Sequence, residues 1–340
     1  MKRSMPDDYP LASVIVPCYK ATEYVGETLD SLRAQTYRNF EIIVVNDGCP
    51  DTQNLESVLA PYGSELVYMY QDNQGVAGAL NTGIRASRAP LVAFIGADDR
   101  WKPNYLSAQI DYLEQHPDID VVYADAVYFG STTWAGRRFT DMHPRVGVPT
   151  VTSLLNGCPI LAHVTMRRQA CLNVGMYDPE LRCGEDLDLW LRLIKEGYRF
   201  GYNDQVLIEY RVRADSLSNC PLKTAKSFSI VVNKMLQRRD LTQEERLAAS
   251  SALQKQEVEA NLALGKSAVF AGARSEAIFH LAEANRVLGD RRIRAMIIAL
   301  RVAPWLLFRC VHHRYATEYN FLHSITRGVE TRLEAGNDLR

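Results

Sequence analysis

From Ala12 to Asp99, short runs of β-branched and aliphatic residues alternate with stretches whose apolar residues recur at helical spacing. That alternation restricts the fold to an α/β class with a mostly parallel, doubly wound, Rossmann-like sheet. Ala12 to Pro17, Glu41 to Val45, Glu65 to Tyr70 and Leu91 to Ile95 read as strands. Between them, Glu23 to Gln35 carries Val25, Leu29 and Leu32 on one helical face, and Leu55 to Tyr62 and Val76 to Ser87 read as further helices. Right-handed crossovers bring the carboxyl ends of parallel strands to one edge, so Tyr19, Asp47 and the pair Asp98-Asp99 are expected to meet there.

Two adjacent carboxylates at the end of a buried strand repel each other unless a cation accompanies them. Mg²⁺ uses few protein carboxylates and takes its other oxygens from water and phosphate, so Asp98-Asp99 reads either as a metal site or as a polar turn. Tyr19 can cover the face of a nucleotide base, and Asp47 can accept a hydrogen bond from a base N–H. Taken singly, Tyr19 also fits a half-buried strand-end aromatic, and Asp47 an Asx turn with Gly48. Each follows its own buried strand, and that coincidence favours a shared ligand.

With 340 residues, 47% hydrophobic and 23% charged, the chain can bury a core and has room for two domains. A net charge of -1 supplies no global field for nucleic acid, so no nucleic-acid partner is expected. The seven cysteines are odd in number and scattered, with no CxxC pair, which fits a reducing compartment. The first residues carry no apolar signal region, and no run approaches the length of a membrane span. A cytoplasmic location is expected.

The run Ser13-Val14-Ile15-Val16-Pro17-Cys18-Tyr19, the helix end Leu32-Arg33-Ala34-Gln35-Thr36-Tyr37 and the strand Glu41-Ile42-Ile43-Val44-Val45-Asn46-Asp47-Gly48 resemble the opening of family 2 glycosyltransferases with the GT-A fold. The segment from Asn73 to Ile84 is similar to that family's next block, and Ala97-Asp98-Asp99-Arg100-Trp101 to its metal-site motif. Gly175-Met176-Tyr177-Asp178 and the stretch from Gly184 to Arg192 resemble its late, acceptor-side motif. The resemblance runs in the family's order from about Leu11 to about Ser218.

It implies an inverting transfer of a sugar from a nucleotide-diphosphate donor, expected to be UDP-linked, to a hydroxyl of a glycan or lipid-linked acceptor in cell-surface or exopolysaccharide synthesis. Asp98 and Asp99 would hold Mg²⁺ or Mn²⁺ against the diphosphate. Pro17, Tyr19, Asp47, Gly75, Asn81, Asp98 and Arg213 would form the nucleotide-sugar site. Asp186 would be the general base, with Glu185 orienting the acceptor or raising the Asp186 pKa by like-charge proximity. Acids at that position also suit a helix N-terminus, and Asp188 is read as structural. Direct displacement needs no enzyme nucleophile, in keeping with a sequence in which no nucleophile-base pair stands out.

Several positions depart from the family pattern. Gly96, Asn46, Lys20, Leu80 and Arg213 stand where an acid, Asp, Asn, Arg and His are common. Arg213 reads either as a direct diphosphate contact in place of a metal-binding His or as a loop arginine. Arg137, Arg138, Asp141, His143 and Arg145 crowd a polar loop on the expected acceptor side, and His163 reads as a satisfied strand histidine in preference to an acceptor contact. A nucleotide-sugar-binding protein of this fold that has lost catalysis is the alternative reading. A hydride-transfer enzyme is disfavoured because Pro17-Cys18-Tyr19, not a GxGxxG loop, follows the first strand.

Beyond about residue 222 the pattern becomes helix after helix, so residues 1–222 and 223–340 read as a catalytic domain and a helical region. Thr242-Gln243-Glu244-Glu245 reads as a capping box, and a helical hairpin is expected to turn near Ala271-Gly272-Ala273. Arginines interrupt apolar groups between 291 and 314, which suits either an amphipathic helix peripheral to the inner membrane face or a helix packed on protein.

Overall fold

The computed structural model of the chain describes residues 10–143, 145, 147–157, 160–213 and 221–303. It divides into two compact units, Met1–Asn219 and Cys220–Arg340. In chain order the first contains β1 (Ala12–Cys18), α1 (Val25–Arg33), β2 (Phe40–Asp47), α2 (Thr52–Leu59), a 3₁₀ segment (Ala60–Glu65), β3 (Leu66–Gln71), α3 (Gly75–Ala86), β4 (Leu91–Phe94) and β5 (Arg100–Trp101). There follow α4 (Tyr105–Gln115), β6 (Val121–Gly130), α5 (Phe139–Met142), α6 (Val151–Leu155), β7 (Val164–Arg167), α7 (Arg168–Asn173), α8 (Glu185–Lys195) and β8 (Phe200–Val212).

The strands form one eight-stranded sheet in the order β3-β2-β1-β4-β7-β6-β8-β5. The first four are parallel, as the alternation predicts. Val14, Val16, Val44 and Ala93 are buried in a core with Val25, Leu29 and Leu32 of α1, so strands covered on both faces read as continuous apolar runs. β7 is antiparallel to both β4 and β6, β8 is parallel to β6, and β5 is antiparallel to β8. All strands but β5 and β7 therefore point the same way, giving a GT-A-like mixed sheet. The reversal of β7 puts the residue before it, His163, on the same edge as the carboxyl ends of β1, β2, β4 and β8.

The second unit is helical: α9 (Pro221–Leu236), α10 (Gln243–Phe270), α11 (Arg274–Leu288) and α12 (Arg291–Val302). The capping box forms as expected, with Glu245 N donating to Thr242 Oγ1 at 3.2 Å and Thr242 N donating to the Glu245 carboxylate at 2.8 Å. The hairpin turns between α10 and α11 as predicted. Ile293, Ile297 and Leu300 of α12 are buried with Leu281 and Ala284 of α11, so of the two readings of this stripe, packing on protein holds for these three residues, while Ile298 and Val302 stay exposed. Residues 304–314 lie outside the described residues, and among the described ones no helix is long and apolar enough to cross a membrane.

Candidate active site

Asp47, the last residue of β2, is buried and organises the entrance to α3. Its Oδ1 accepts from Gln71 Nε2 at 2.7 Å and from Gln74 N at 2.8 Å, and its Oδ2 accepts from Gly75 N at 2.8 Å. The carboxylate thereby satisfies amides at a helix N-terminus, where negative charge is stabilised. A carboxylate offers about four acceptor positions, so one remains for a ligand N–H. Gly75 has φ +83°, and a Cβ there would lie 2.8 Å from a guanidinium nitrogen of Arg182. Arg182 thus lies against the Gly75 backbone, which joins the loop before α8 to the loop that carries the Asp47 contacts.

Tyr19 follows β1 with its side chain exposed, and the Lys20 ammonium lies 5.4 Å from its ring centroid. Lys20 itself has φ +53°. That left-handed conformation explains why Asn, which tolerates it better, is common at this position. Pro17 is paired with Val45 inside the parallel sheet. Asn81, expected at the donor, is committed elsewhere. Its Nδ2 donates to Tyr177 O at 2.7 Å and its Oδ1 accepts from Tyr177 N at 2.9 Å, so its amide clamps the backbone of the acceptor-side loop. The Tyr177 ring in turn meets Phe94, the end of β4, edge-on at 5.6 Å.

Asp98 and Asp99, expected as a pair of metal ligands, point different ways. Asp99 is buried: its Oδ2 lies 2.8 Å from His163 Nε2 and its Oδ1 accepts from Arg211 N at 2.6 Å. Both oxygens thus have partners inside the protein, and the carboxylate is buried. Asp98 is half-buried, with its Oδ2 3.1 Å from a guanidinium nitrogen of Arg213, which lines the cleft described below. Burial and then the charge of Asp99 push the Asp98 pKa up, against the pull of Arg213. Gly96 has a physical reason as well. A Cβ there would stand 2.7 Å from Asp99 Oδ2 and 3.1 Å from Asp98 Oδ1, so this arrangement of the two acids leaves no room for a side chain.

Among the described residues no group of three or more His, Cys, Asp or Glu side chains is placed to hold an ion. A divalent cation shared with a diphosphate needs only one or two protein carboxylates. Asp98, already facing a cationic guanidinium, suits that role singly.

Glu185 and Asp186 open α8 behind Gly184, whose φ is +74°. Leu187 N donates to Asp186 Oδ1 at 2.7 Å. Burial raises the pKa of Asp186, and burial together with the Asp186 charge pushes Glu185 up to about 8. Asp188 pairs with Arg192 at 2.7 Å, consistent with the structural role expected of it. A cleft of about 360 Å³, lined by Lys20, Thr22, Glu23, Tyr24, Pro50, Asp51 and Arg213, opens beside this edge.

No sequence signal points to Arg211. Its side chain stacks on Phe129 at 4.3 Å and on Tyr24 at 4.8 Å, and its Nε donates to Asp98 O at 2.6 Å. The antiparallel pairing of β5 with β8, Arg100 opposite Glu209, carries it to the Asp98 turn. The polar loop expected at the acceptor is partly structural. Arg138 Nε donates to the fully buried Asp125 at 2.6 Å, and Thr140 Oγ1 does so at 2.7 Å.

Comparison with known proteins agrees with this architecture. A family model described as Glycosyl transferase family 2 matches residues 13–170. An uncharacterised glycosyltransferase of Rickettsia prowazekii is 30% identical over 244 residues, covering 69% of this chain and 74% of that protein. The Bacillus subtilis glycosyltransferase TuaG, named for teichuronic acid biosynthesis, is 28% identical over 64% of this chain and 85% of its own. Among solved structures, Staphylococcus aureus TarS 1–349 with UDP has a TM-score of 0.55 at 17% identity, covering 91% of this chain and 92% of that one. The mannosyltransferase PcManGT of Pyrobaculum calidifontis, with GDP-Man and Mn²⁺, has a TM-score of 0.57 at 18% identity, covering 92% and 90%. A buried parallel sheet that delivers Asp47 and Asp98 to one edge, with a glycosyltransferase relative 30% identical over 69% of this chain, makes this chain a transferase enzyme that belongs to the family 2 glycosyltransferases.

Proposed function

We propose that the enzyme moves a sugar from a nucleotide-diphosphate donor to an acceptor hydroxyl with inversion of the anomeric configuration. The observation that carries this reading is the packing of the loop before Glu185-Asp186 onto the Asp47 and Asp98 edge, through Arg182 on Gly75 and Tyr177 on Phe94. Tyr19 and the free acceptor position of Asp47 take the base. Asp98 and Arg213 face the diphosphate, and Asp186 accepts the proton of the acceptor hydroxyl as the anomeric carbon is attacked from the opposite side. Bound Mg²⁺ or Mn²⁺ would sit on Asp98 and offset the negative charge of the leaving diphosphate.

TarS binds UDP and UDP-GlcNAc, which supports a UDP-linked donor. TuaG is named for a cell-wall polysaccharide, which supports a glycan or lipid-linked acceptor in surface polysaccharide synthesis at the cytoplasmic membrane face. A thermal-shift panel of UDP-, GDP- and dTDP-sugars with and without Mn²⁺ tests the donor, and turnover of the stabilising donor by wild type and Asp186→Asn tests the base. Donor binding retained by a variant that no longer turns over supports the reading. Donor binding without turnover by the wild type would instead identify a binding protein that has lost catalysis.

A further inference from the structure

We infer that His163 is a positioning residue for sugar transfer, holding Asp98 in place through Asp99; this rests on the assignment of Asp98 to the donor site. His163 is buried between two fixed partners. The indole N–H of Trp101 lies 3.4 Å from its Nδ1, and Asp99 Oδ2 lies 2.8 Å from its Nε2. An indole N–H only donates, so Nδ1 must present its lone pair and Nε2 must carry the proton. In this arrangement the Nε2–H of His163 donates to a buried carboxylate.

Asp99 is tied to two other elements and to its own turn at the same time. Its second oxygen accepts from Arg211 N of β8, its carbonyl accepts from Thr28 Oγ1 of α1 at 2.8 Å, and its own N donates to Gly96 O at 3.1 Å. Arg211 Nε then returns to the Asp98 carbonyl. The backbone on both sides of Asp98 is thus stapled, and the His163 bond closes the staple from the β7 side. Trp101 follows Asp99 by only two residues, so the turn grips the imidazole from both ends. Removing the His163 donor leaves a buried carboxylate short of a partner and frees it to turn toward the cleft, where it alters the direction of Asp98.

The test compares His163→Leu, which removes the donor at similar volume, with His163→Gln, whose amide reaches the Nε2 position. Trp101→Phe releases the tautomer while keeping the ring. In metal-free wild type, ¹⁵N NMR should show the Nε2–H tautomer of His163. His163→Leu should weaken Mn²⁺ binding in the presence of UDP, read by calorimetry without turnover, and lower kcat, each on the order of ten- to a hundredfold. UDP binding without metal should stay unchanged, and His163→Gln should recover most of the loss.

If His163→Leu does not fold, Trp101→Phe should still show a mixed tautomer and a smaller loss in the same direction. Wild-type Mn²⁺ affinity and kcat in folded His163→Leu, or in Trp101→Phe with a mixed tautomer, would overturn the inference, as would an imidazolium or Nδ1–H form in the wild type. Failure of the wild type to bind any nucleotide would overturn the donor-site assignment instead, and with it the catalytic role of a staple whose tautomer the NMR still reports.

Discussion

Arg213 and Asp98 form an ion pair at the mouth of the cleft, one guanidinium nitrogen 3.1 Å from Asp98 Oδ2 with the two side chains 13% and 26% exposed. The guanidinium therefore occupies the cationic place beside the only carboxylate of the Asp98-Asp99 turn that faces outward. Before metal can sit on Asp98, this pair must loosen, and an approaching diphosphate gives Arg213 a second anion to hold.

Arg213→Ala should therefore move two affinities in opposite directions. Loss of the competing cation strengthens Mn²⁺ binding in the absence of nucleotide, on the order of fivefold if a partly exposed pair is worth about 1 kcal/mol. Loss of a charge-assisted hydrogen bond worth about 1.5–3 kcal/mol weakens UDP binding by roughly ten- to a hundredfold. Calorimetry with each ligand alone reads both. Parallel losses would show that Arg213 only props the loop.

Gly96→Asp restores an acid common in the family and should still harm this protein. The new Cβ would crowd Asp99 Oδ2 at 2.7 Å and Asp98 Oδ1 at 3.1 Å, and a third carboxylate would join two that already repel. Overpacking of this kind costs about 1–3 kcal/mol, which lowers the melting temperature by roughly 2–10 °C in a unit of this size. Donor turnover should fall with it. A stable and more active variant would mean that the loop opens readily and that the contacts of Asp99 are not what shape it.

Asn81→Ala should cost stability and spare donor binding. It leaves the Tyr177 N–H and C=O, both now satisfied by Asn81, without partners in a buried setting, at about 1–3 kcal/mol for each lost bond. Thermal melts and UDP titration separate the outcomes. Weaker UDP binding with an unchanged melting temperature would put Asn81 back among the donor contacts.

The strand ends were legible in the sequence because parallel strands joined by crossovers leave no choice about which edge Tyr19, Asp47 and Asp98 reach. The roles of Asp98 and Asp99 were not separable there. Two adjacent acids look alike in a sequence, and what divides them is a histidine 64 residues away, brought close by the reversal of β7. Arg211 was hidden for the same reason, since strand pairing across the sheet leaves no periodic trace. The stripe of α12 shows a different limit. Apolar residues flanked by arginines read the same on a bilayer and in a core, and only the burial of Ile293, Ile297 and Leu300 against α11 decides.

Glu185 and Asp186 set activity and stability against each other along the pH axis. Burial raises both acids above their ordinary values of 4.5 and 3.8, Glu185 to about 8. Between those ordinary values and about 8 the folded enzyme holds more protons than the unfolded chain, so the contribution of this pair to stability is full in acid and is lost as pH rises. As the general base, Asp186 must be ionised, so kcat/KM rises as pH climbs through its raised pKa. Melting temperature and kcat/KM measured from about pH 5 to about pH 8.5 should therefore run in opposite directions. Asp186→Asn should lower kcat by about 10²–10⁴-fold and flatten the pH slope of stability. Glu185→Gln should leave a single ionisation in the activity profile, because the two carboxyls titrate as a coupled pair and only one remains. An activity profile that is flat across this interval in wild type, with turnover intact, would remove Asp186 from the role of base and leave the pair as a buried acid cap on α8.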